Sequence, residues 1–427
     1  METSKLYQLY LQHPSVQTDT RKLKPGDIYW ALSGPNFDGN SFVGEAFKKG
    51  AVYAVIDNPA YNTGGNCVVV TDALSALQQL ALYHRRQLNI PFIAITGSNG
   101  KTTTKELTAA VLSKKYITYA TEGNLNNHIG IPLTILKIKT NAEIAIIEMG
   151  ANHVGEIASY CTIALPGYGV ITNCGKAHIE GFGGVEGVRK GKGELYDFIR
   201  ANNGTIFRYT ALSYLEGMAH GIRQQVTYGT EQGSYTGKPF MDNVFLNVGV
   251  NTNDNETIIS THLAGDYNFA NVMAAVAIGL HFGVQLHLIK EAIEQYYPDN
   301  SRSQWIQKDT NRIILDAYNA NPSSMQAAIL NFAAANLPHK MLWIGGMKEM
   351  GTAEAEEHDA IIELIGRYEW ESVILVGKEF INNKSNYKWF ENSANAATFI
   401  KENMPRHSSI LIKGSRGSKM EIMADVL

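Results

Sequence analysis

The sequence predicts an α/β protein with three domains, on the strength of its length and of two stretches in which strands and helices alternate. A chain of 427 residues is too long for one ordinary core, so two or three domains are expected. From Pro91 onwards compact β-branched runs alternate with helical segments, a pattern typical of a mostly parallel sheet with helices on both faces. The alternation restarts after a turn-rich linker at residues 297–301. We therefore place the domains at residues 1–88, 89–297 and 298–427.

The first domain is predicted to be a small α/β unit. A short strand follows the turn at Gly26, and a second strand over residues 51–56 follows a helix that ends near Gly50. A helix with regularly spaced apolar residues is predicted over residues 73–88, and Pro91 ends this segment. The unit therefore ends where the stronger alternation of the second domain begins.

The second and third domains are predicted to contain doubly wound sheets. In the second, buried strands that end at polar residues are predicted over residues 92–96, 144–147 and 169–172. A helix over residues 101–114 follows a glycine-rich turn, and a helix over residues 269–282 closes the domain. Short strands between residues 205 and 262 indicate an antiparallel patch. The third domain is predicted to be Rossmann-like, with strands over residues 312–315, 340–344, 372–376 and 409–413.

Composition and charge exclude several classes of protein. A hydrophobic fraction of 44% and a charged fraction of 18% are typical of a folded chain. The formal net charge of −3 gives no bulk attraction for nucleic acid or acidic membranes. Cys67, Cys161 and Cys174 match no zinc or disulfide spacing, which indicates reduced thiols. The sequence has neither a signal-peptide pattern nor a run of roughly 20 apolar residues. We therefore expect a cytoplasmic protein without nucleic-acid partners or stable membrane insertion.

The strongest single motif is a glycine-rich loop between a predicted strand and a predicted helix, with the sequence ITGSNGKTT over residues 95–103. In this setting backbone N–H groups and the positive end of the helix dipole surround phosphate oxygens. Lys101 would neutralise the terminal phosphates, and the Thr102 hydroxyl would bind Mg²⁺. The general pattern has a further glycine where this chain has Ile95, so the match is to the shorter form TGxxGKT. The alternative is a structural turn with a surface lysine.

The short loop is similar to that of the Mur ligase family, and further motifs extend the resemblance over nearly the whole chain. They are GNLNNHIGIPLT at residues 123–134, EMGANH at 148–153, NCGKAH at 173–178, GKGE at 191–194 and GDYNFAN at 265–271. One branch of the family is indicated by DAYNANP at 316–322, GGMKEMG at 345–351 and KGSRG at 413–417. The first domain resembles a uridine-nucleotide-binding domain through DTR at 19–21, PGD at 25–27 and FDG at 37–39.

The resemblance implies an ATP-dependent, amide-bond-forming ligase of peptidoglycan precursor synthesis. Such an enzyme activates the carboxylate of UDP-N-acetylmuramoyl-tripeptide as an acyl phosphate and adds D-alanyl-D-alanine to it. The first domain would bind the UDP-sugar substrate, the second would be a P-loop ATP-binding domain, and the third would contact ATP and the incoming dipeptide. The expected cofactors are ATP and Mg²⁺, the expected partners are these small-molecule substrates, and the chain is expected to act as a monomer.

The resemblance also implies roles for individual residues. The residues implied in catalysis are Lys101, Lys192 and His178. Those implied in ATP binding are Gly97, Ser98, Asn99, Gly100, Lys101, Thr102, Thr103, Asn268, Asn271, Arg302 and Asp316. Those implied in metal binding are Thr102, Glu148, His178 and Lys192. Those implied in substrate binding are Asn124, Asn126, Asn127, Asn319, Asn321, Lys348 and Arg416.

The metal-side assignments have structural alternatives. Glu148, at the end of a predicted strand, could pair with a neighbouring side chain instead of Mg²⁺. His178 could be a structural histidine, because imidazole is an unusual ligand for Mg²⁺. Lys192 matches a lysine that reacts with CO₂ in many family members to form a carbamate, which requires a neutral amine and hence a lowered pKa. The alternative for Lys192 is an ordinary surface lysine.

The residues assigned to the nucleotide and to the dipeptide also have alternative structural roles. Asn268 and Asn271 lie three positions apart and could read adenine together, or Asn268 could cap a helix. Lys413 and Arg416 could bind a carboxylate or form a solvated basic turn. The first domain has Asn40 where the family has a histidine, which loosens the assignment of uridine contacts.

Three rival functions are weighed against this hypothesis. A sister ligase would add a single amino acid, or glutamate to folate, but the motif at residues 316–322 and the complete first domain disfavour it. A non-catalytic nucleotide-binding scaffold is disfavoured because Lys101, Thr102, Glu148, His178 and Lys192 occur together. A P-loop GTPase lacks its guanine-reading Asn-Lys-x-Asp motif in this sequence. Neither the third residue of the acceptor peptide nor the binding order follows from the sequence.

Overall fold

Runs of β-branched and aliphatic residues form the buried strands of this protein, and helices cover them on both faces. The computed structural model describes residues 2–252, 255–299, 301–383 and 386–427, so Asn300 of the predicted linker lies outside the described residues. Within these ranges three main sheets follow one another along the chain. The predicted α/β class with three domains is confirmed, while the exact domain limits stay predictions.

The first sheet is parallel, with the strand order β1-β2-β5-β6. The strands of this region are β1 (Val16–Gln17), β2 (Ile28–Trp30), β3 (Ser33–Gly34), β4 (Phe37–Asp38), β5 (Tyr53–Ile56) and β6 (Cys67–Val69). Its helices are α1 (Thr3–Gln12), α2 (Val43–Lys48) and α3 (Ala73–Arg85). Trp30 is fully buried, and its indole Nε1 donates to the carbonyl oxygen of Ala73 at 2.6 Å. This contact fixes the sheet to the start of α3, the predicted long helix of this domain.

Asn40 ties the β3–β4 hairpin to the end of β5. Its side-chain amide donates to the carboxylates of Asp38 and Asp57, each at 2.8 Å. Its Oδ1 accepts from the backbone N–H groups of Asp57 and Asn58. Because the side chain is only 2% exposed, its hydrogen-bonding groups are used within the domain. Asn40 therefore has a structural role within this domain.

The central sheet has the strand order β15-β14-β13-β12-β11-β10-β7-β9-β8. Its strands are β7 (Phe92–Thr96), β8 (Thr118–Ala120), β9 (Ile144–Glu148), β10 (Tyr168–Ile171), β11 (Thr205–Tyr209), β12 (Gln224–Gly229), β13 (Tyr235–Asp242), β14 (Phe245–Thr252) and β15 (Asn255–Ala264). The helices are α4 (Lys101–Leu112), α5 (Gly130–Leu136), α6 (Glu156–Ala164), α7 (Ile179–Phe182), α8 (Val185–Ala201), α9 (Ser213–Met218), α10 (Phe269–His281) and α11 (Leu286–Glu294). The apolar strands β7, β9 and β10 lie between covering helices, as a parallel sheet requires.

The antiparallel patch predicted over residues 205–262 is only partly correct. Strands β11 and β12 continue the parallel sheet, because helix α9 provides the crossover between them that parallel strands need. Antiparallel pairing begins at β13 and β14, which a tight turn at Asn243, with φ of +54°, connects directly. It continues between β14 and β15.

The third sheet has the strand order β16-β17-β21-β18-β19-β20. Its strands are β16 (Gln304–Lys308), β17 (Asn311–Asp316), β18 (Lys340–Gly345), β19 (Ser372–Val376), β20 (Lys388–Phe390) and β21 (Ser409–Lys413). The helices are α12 (Pro322–Ala334), α13 (Glu354–Ile365), α14 (Ser393–Glu402) and α15 (Glu421–Asp425). All neighbouring strands are parallel except β16, which pairs with β17 in the antiparallel sense. Across the described residues, no helix combines the length and apolar character needed to cross a membrane.

Candidate active site

The strands β7, β9 and β10 end at the same edge of the central sheet. β7 lies between the other two, with Ile95 opposite Glu148 and Thr96 opposite Ile171. The loops that follow these strands therefore meet at one edge, which is where parallel α/β sheets bind their ligands. These loops and the end of β17 in the third sheet border a cleft of about 690 Å³.

Two glycines of the loop after β7 have backbone angles that side chains rarely adopt. The angle φ is +146° at Gly97 and +81° at Gly100. A Cβ atom on Gly97 would lie 1.9 Å from Thr172 Oγ1, and one on Gly100 would lie 2.4 Å from Asn271 Oδ1. Both positions therefore require glycine. Helix α4 begins directly after Gly100, so the free N–H groups of its first turn lie at the cleft.

We expect Gly100→Ala to weaken nucleotide binding about 10-fold or more, because the new Cβ would force the loop or Asn271 to move. The matched control is Gly217→Ala, since Gly217 lies in α9 with no atom within 4 Å of an added Cβ. Calorimetric titration of each variant with ADP would measure the change in affinity. Unchanged affinity in Gly100→Ala would contradict this description of the loop.

Lys101 lies folded over the glycine-rich loop. Its Nζ donates to the carbonyl oxygens of Gly97 at 2.6 Å and Ser98 at 3.1 Å. Burial lowers the pKa of Lys101 to about 8, with Arg302 adding to the decrease and Glu148 opposing it. The amine therefore borders the cleft, and its partners within the described ranges are these two carbonyl oxygens, so an incoming anion can compete for it. This placement does not agree with the alternative of a surface lysine.

The loop itself is held by side chains that follow β10, which the sequence analysis did not single out. Asn173 Oδ1 accepts from the backbone N–H of Asn99 at 3.0 Å, and the Thr172 hydroxyl donates to the carbonyl oxygen of Asn99 at 2.6 Å. The backbone N–H of Ser98 donates to the carbonyl oxygen of Asn173 at 2.9 Å. Ser98, Asn99 and Thr103 all line the cleft. These contacts fix the conformation of the loop.

Two buried oxygens near the phosphate loop have no hydrogen-bond partner among the described residues. They are Thr102 Oγ1 and Glu148 Oε2. The other carboxylate oxygen of Glu148 accepts from Asn126 Nδ2 at 2.7 Å, so the pairing alternative accounts for only half of this group. Unpaired buried oxygens are costly, and hard oxygen ligands are those that Mg²⁺ prefers. The two residues therefore fit a magnesium ion. No three His, Cys, Asp or Glu side chains in the described ranges lie close enough to hold a metal by themselves.

Lys192 is a buried residue of helix α8 and not a surface lysine, since it is 1% exposed. Its Nζ donates to the carbonyl oxygen of Ala151 at 3.0 Å and lies 5.0 Å from the centre of the Phe182 ring. Burial lowers the pKa of Lys192 to about 7, and Lys101 adds to the decrease. The amine can therefore lose its proton near neutral pH, which carbamate formation requires.

His178 faces the third sheet. It adopts a left-handed conformation with φ of +53°, lines the cleft, and hydrogen-bonds through Nδ1 to the carboxylate of Glu349. Burial lowers the pKa of His178, while Glu349 opposes this change. The histidine thus has a protein partner in the described structure, and its predicted role in metal binding stays a prediction.

Asn268 and Asn271 both line the cleft and are nearly buried, at 3% and 7% exposure. Asn268 Nδ2 donates to the carbonyl oxygen of Ala264, and Asn271 Nδ2 donates to Asn268 Oδ1, each at 2.9 Å. Although Asn268 precedes α10, its side chain makes no capping hydrogen bond to that helix. Asn271 also packs against Gly100, so it supports the phosphate loop. Adenine contact by this pair stays a prediction.

The opposite wall of the cleft comes from the ends of β17 and β21. Asp316 accepts a 2.5 Å contact from Lys413 Nζ, and Lys413 is only 1% exposed. The alternative of a solvated basic turn is therefore wrong for Lys413. Arg302 lines the cleft with its guanidinium over Tyr318, and its buried Nε has no hydrogen-bond partner within the described ranges.

A second cavity of about 240 Å³ adjoins the cleft, with His178 and Asn319 as shared lining residues. Lys348 and Arg416 also line it, and both are exposed. Lys348 pairs with the carboxylate of Glu379. The predicted substrate-binding residues Asn319, Lys348 and Arg416 thus line one cavity, together with the acidic residue Glu349. Asn321 lines it too, but its side chain caps helix α12.

Not all of the asparagines at residues 124–127 that are predicted to bind substrate line the cleft. Asn126 and Asn127 line it, and Asn127 Oδ1 also accepts from the backbone N–H groups of Ile129 and Gly130 at the start of α5. Asn124 is exposed and lines neither cavity. The structure therefore offers no contact with the site for Asn124.

Contacts across the cleft join the central and third sheets, and the sequence analysis did not single out Lys176, Glu349 and Glu357 among these partners. Asn321 Nδ2 donates to Asn99 Oδ1 at 2.8 Å, and Lys176 Nζ lies 2.5 Å from Glu357 Oε1. Glu349, the partner of His178, directly follows Lys348 in the predicted GGMKEMG motif. Only that position in a named motif offered a signal for Glu349.

Comparison with known proteins covers the same three regions. The descriptions that match are "Mur ligase family, catalytic domain" over residues 14–96, "Mur ligase middle domain" over 95–279, and "Mur ligase, glutamate ligase domain" over 301–416. The chain is 35% identical to the UDP-N-acetylmuramoyl-tripeptide--D-alanyl-D-alanine ligase of Bacillus subtilis (strain 168), covering 96% of this chain and 93% of that protein. It is 33% identical to the ligase of the same name from Escherichia coli (strain K12), with coverage of 95% and 92%.

A solved structure agrees with these relatives. The crystal structure of MurF from Acinetobacter baumannii superimposes with a TM-score of 0.87 at 32% identity, covering 96% of this chain and 93% of that one. The superposition therefore covers nearly the whole length of both chains. This chain belongs to the Mur ligase family.

Proposed function

We propose that this chain is an ATP-dependent ligase that adds D-alanyl-D-alanine to UDP-N-acetylmuramoyl-tripeptide in peptidoglycan precursor synthesis. The observation that carries the proposal is the pair of adjoining cavities, one with a phosphate loop and the other with exposed basic side chains. The names of the Bacillus subtilis and Escherichia coli relatives, each matched over nearly its full length, support the same reaction.

The chemistry requires that two anions approach each other. A carboxylate oxygen of the tripeptide attacks the γ-phosphorus of ATP, ADP leaves, and an acyl phosphate forms. The dipeptide amine then attacks the acyl carbon, loses a proton, and releases inorganic phosphate. Lys101 lies where positive charge is needed, since the carboxylate and the γ-phosphate repel each other. The remaining task of the site is alignment of the reacting atoms.

Mg²⁺ fits the oxygens of Thr102 and Glu148 that lack protein partners, and His178 and a carbamate on Lys192 would complete its ligands. When bound, the ion would offset negative charge on the phosphate oxygens. The fixed pair between Asn126 and Glu148 keeps the carboxylate oriented, and this support belongs to the protein itself.

The nucleotide would lie between the two larger domains. Gly97 to Thr103 would surround its phosphates, Asn268 and Asn271 would face its base, and Asp316 and Arg302 would contact ribose and phosphate from the third domain. Both domains contribute a wall of one cleft, and the contacts between Asn99 and Asn321 and between Lys176 and Glu357 hold these walls together. We assign residues 1–88 to the UDP-sugar substrate, with Asn126 and Asn127 on the path of its peptide.

The dipeptide would occupy the second cavity, with its carboxylate at Arg416 and Lys348.

Arg416→Ala should raise the KM for D-alanyl-D-alanine about 10- to 100-fold, because a charge-assisted hydrogen bond is lost, while the KM for ATP changes little. Arg406→Ala is the matched control, since Arg406 is exposed and lines neither cavity. Steady-state kinetics with each substrate varied in turn would measure both constants. An unchanged KM for the dipeptide would place its carboxylate elsewhere.

Phosphate release from ATP with Mg²⁺ and UDP-N-acetylmuramoyl-tripeptide tests the proposed reaction. We expect release only when D-alanyl-D-alanine is also present. Release with single amino acids instead would identify a sister ligase. The absence of phosphate release with every acceptor tested would leave only a nucleotide-binding scaffold. We further propose a cytoplasmic, monomeric enzyme; sedimentation of the purified chain with its substrates would test the oligomeric state.

A further inference from the structure

We propose that Tyr318 is a positioning residue that holds Arg302 and Arg416 together at the boundary between the nucleotide site and the dipeptide site. Tyr318 lines the large cleft, as Arg302 does, and Arg416 lines the second cavity. This inference rests on the proposed function, because it concerns how the two substrates of that reaction are coupled.

Both guanidinium groups interact with the same aromatic ring. The central carbon of the Arg302 guanidinium lies 3.8 Å from the centre of the Tyr318 ring, and that of Arg416 lies 5.7 Å from it. Both distances fall within the range in which the negative face of a ring attracts a cation. Two neighbouring arginines repel each other, so a shared ring stabilises an arrangement that the two charges alone would oppose.

Strand register builds this arrangement. Strands β17 and β21 are parallel, with Asp316 opposite Lys413, so Tyr318 and Arg416 both leave the same edge of the sheet a few residues later. The backbone N–H of Tyr318 donates to the carbonyl oxygen of Ser301 at 3.2 Å, which fixes the segment that carries Arg302. The backbone thus brings three separate segments to one ring.

The surroundings of Arg302 indicate why it needs this support. Its Nε is buried and has no hydrogen-bond partner within the described ranges, and no ion pair with a carboxylate is recorded for its side chain there. Among the described residues, the Tyr318 ring is therefore the main side-chain partner of Arg302. Arg416 is exposed, so without the ring its long side chain would sample many rotamers and lose more entropy on binding an anion.

Kinetics of three variants test this proposal. Tyr318→Leu removes the ring, and we expect it to raise the KM for ATP and the KM for D-alanyl-D-alanine, each about 3- to 30-fold. The expected decrease in kcat is smaller, less than about threefold, because Tyr318 acts on binding groups. Tyr318→Phe keeps the ring and should restore both constants. In an Arg416→Ala background, Tyr318→Leu should still raise the KM for ATP but leave the KM for the dipeptide unchanged.

The outcomes separate this inference from the proposed function. A change in only one KM, equal losses in the Phe and Leu variants, or full additivity with Arg416→Ala would each overturn the coupling by Tyr318. If Tyr318→Leu does not fold, Tyr318→Gln gives the same comparison at this half-buried position. If the wild-type chain turns over neither substrate, the proposed function fails. Calorimetric titration with ADP then still tests the Arg302 contact: weaker binding in Tyr318→Leu supports it, and equal binding overturns it.

Discussion

Replacing Lys101 by alanine should lower kcat for phosphate release at least about 1,000-fold, because the positive charge between carboxylate and γ-phosphate is lost. Lys101 Nζ lies on the glycine-rich loop, where its hydrogen-bond partners among the residues that the structure describes are the carbonyl oxygens of Gly97 and Ser98. Phosphate oxygens of a bound nucleotide can replace these two carbonyl oxygens. The loop keeps its contacts with Thr172 and Asn173, so loss of the lysine should not unfold it. The rate of phosphate release at saturating substrate concentrations would measure the effect. Thermal unfolding of the variant would check that it is folded.

Lys114→Ala is the matched control for this prediction. Lys114 follows the same helix, α4, but its Nζ pairs with Glu291 at 2.9 Å on the protein surface. Surface ion pairs contribute about 0–1 kcal/mol, so the activity of this variant should equal that of the wild type. Substantial turnover in Lys101→Ala would contradict the role given to the loop.

Removing the Lys192 side chain should have the second largest effect. We expect Lys192→Ala to lose about 100- to 1,000-fold in kcat and to recover part of it in acetate, which can replace the carbamate carboxylate. The carbamate requires a neutral amine, and burial lowers the pKa of Lys192 to about 7. Raising the pH through this value deprotonates the amine, so the carbamate should increase between about pH 6 and about pH 9. Carbon-13 NMR with labelled bicarbonate would follow it directly.

Lys190 provides the comparison for the carbamate. It lies two residues away on the same helix, α8, but is exposed to solvent, so it lacks the burial that distinguishes Lys192. Lys190→Ala should therefore keep the labelled carbamate signal and full activity. The carbamate hypothesis is wrong if the wild type shows no signal, or if acetate leaves Lys192→Ala inactive.

Much of the fold could be predicted because the buried strands are short, apolar and bounded by polar residues. The strands β7 (Phe92–Thr96), β19 (Ser372–Val376) and β21 (Ser409–Lys413) lie at the predicted residues. Strands β11 and β12 were predicted with the wrong direction, since alternation in sequence does not distinguish antiparallel pairing from a parallel edge. The direction of pairing depends on whether a helix connects the two strands. Helix α9, which connects β11 and β12, has only six residues and is too short to be predicted from its apolar pattern.

The site was predictable where one motif contains all of its parts, as in the glycine-rich loop. It was not predictable where partners lie far apart in sequence. Asn99 and Asn321 are separated by 222 positions, and His178 and Glu349 by 171, yet each pair is in contact. Nothing local distinguishes such a partner from a solvated side chain, as the exposed residue Glu349 illustrates. Only packing of the central sheet against the third brings them together.

Oxygen-isotope transfer tests the central claim, acyl-phosphate chemistry, most directly. UDP-N-acetylmuramoyl-tripeptide labelled with ¹⁸O in its reacting carboxylate would be turned over with ATP and D-alanyl-D-alanine. One labelled oxygen should then leave with the inorganic phosphate, and the other should stay in the new amide, because the attacking carboxylate oxygen becomes the bridge of the acyl phosphate. Phosphate without label, formed while the amide product accumulates, would contradict this account.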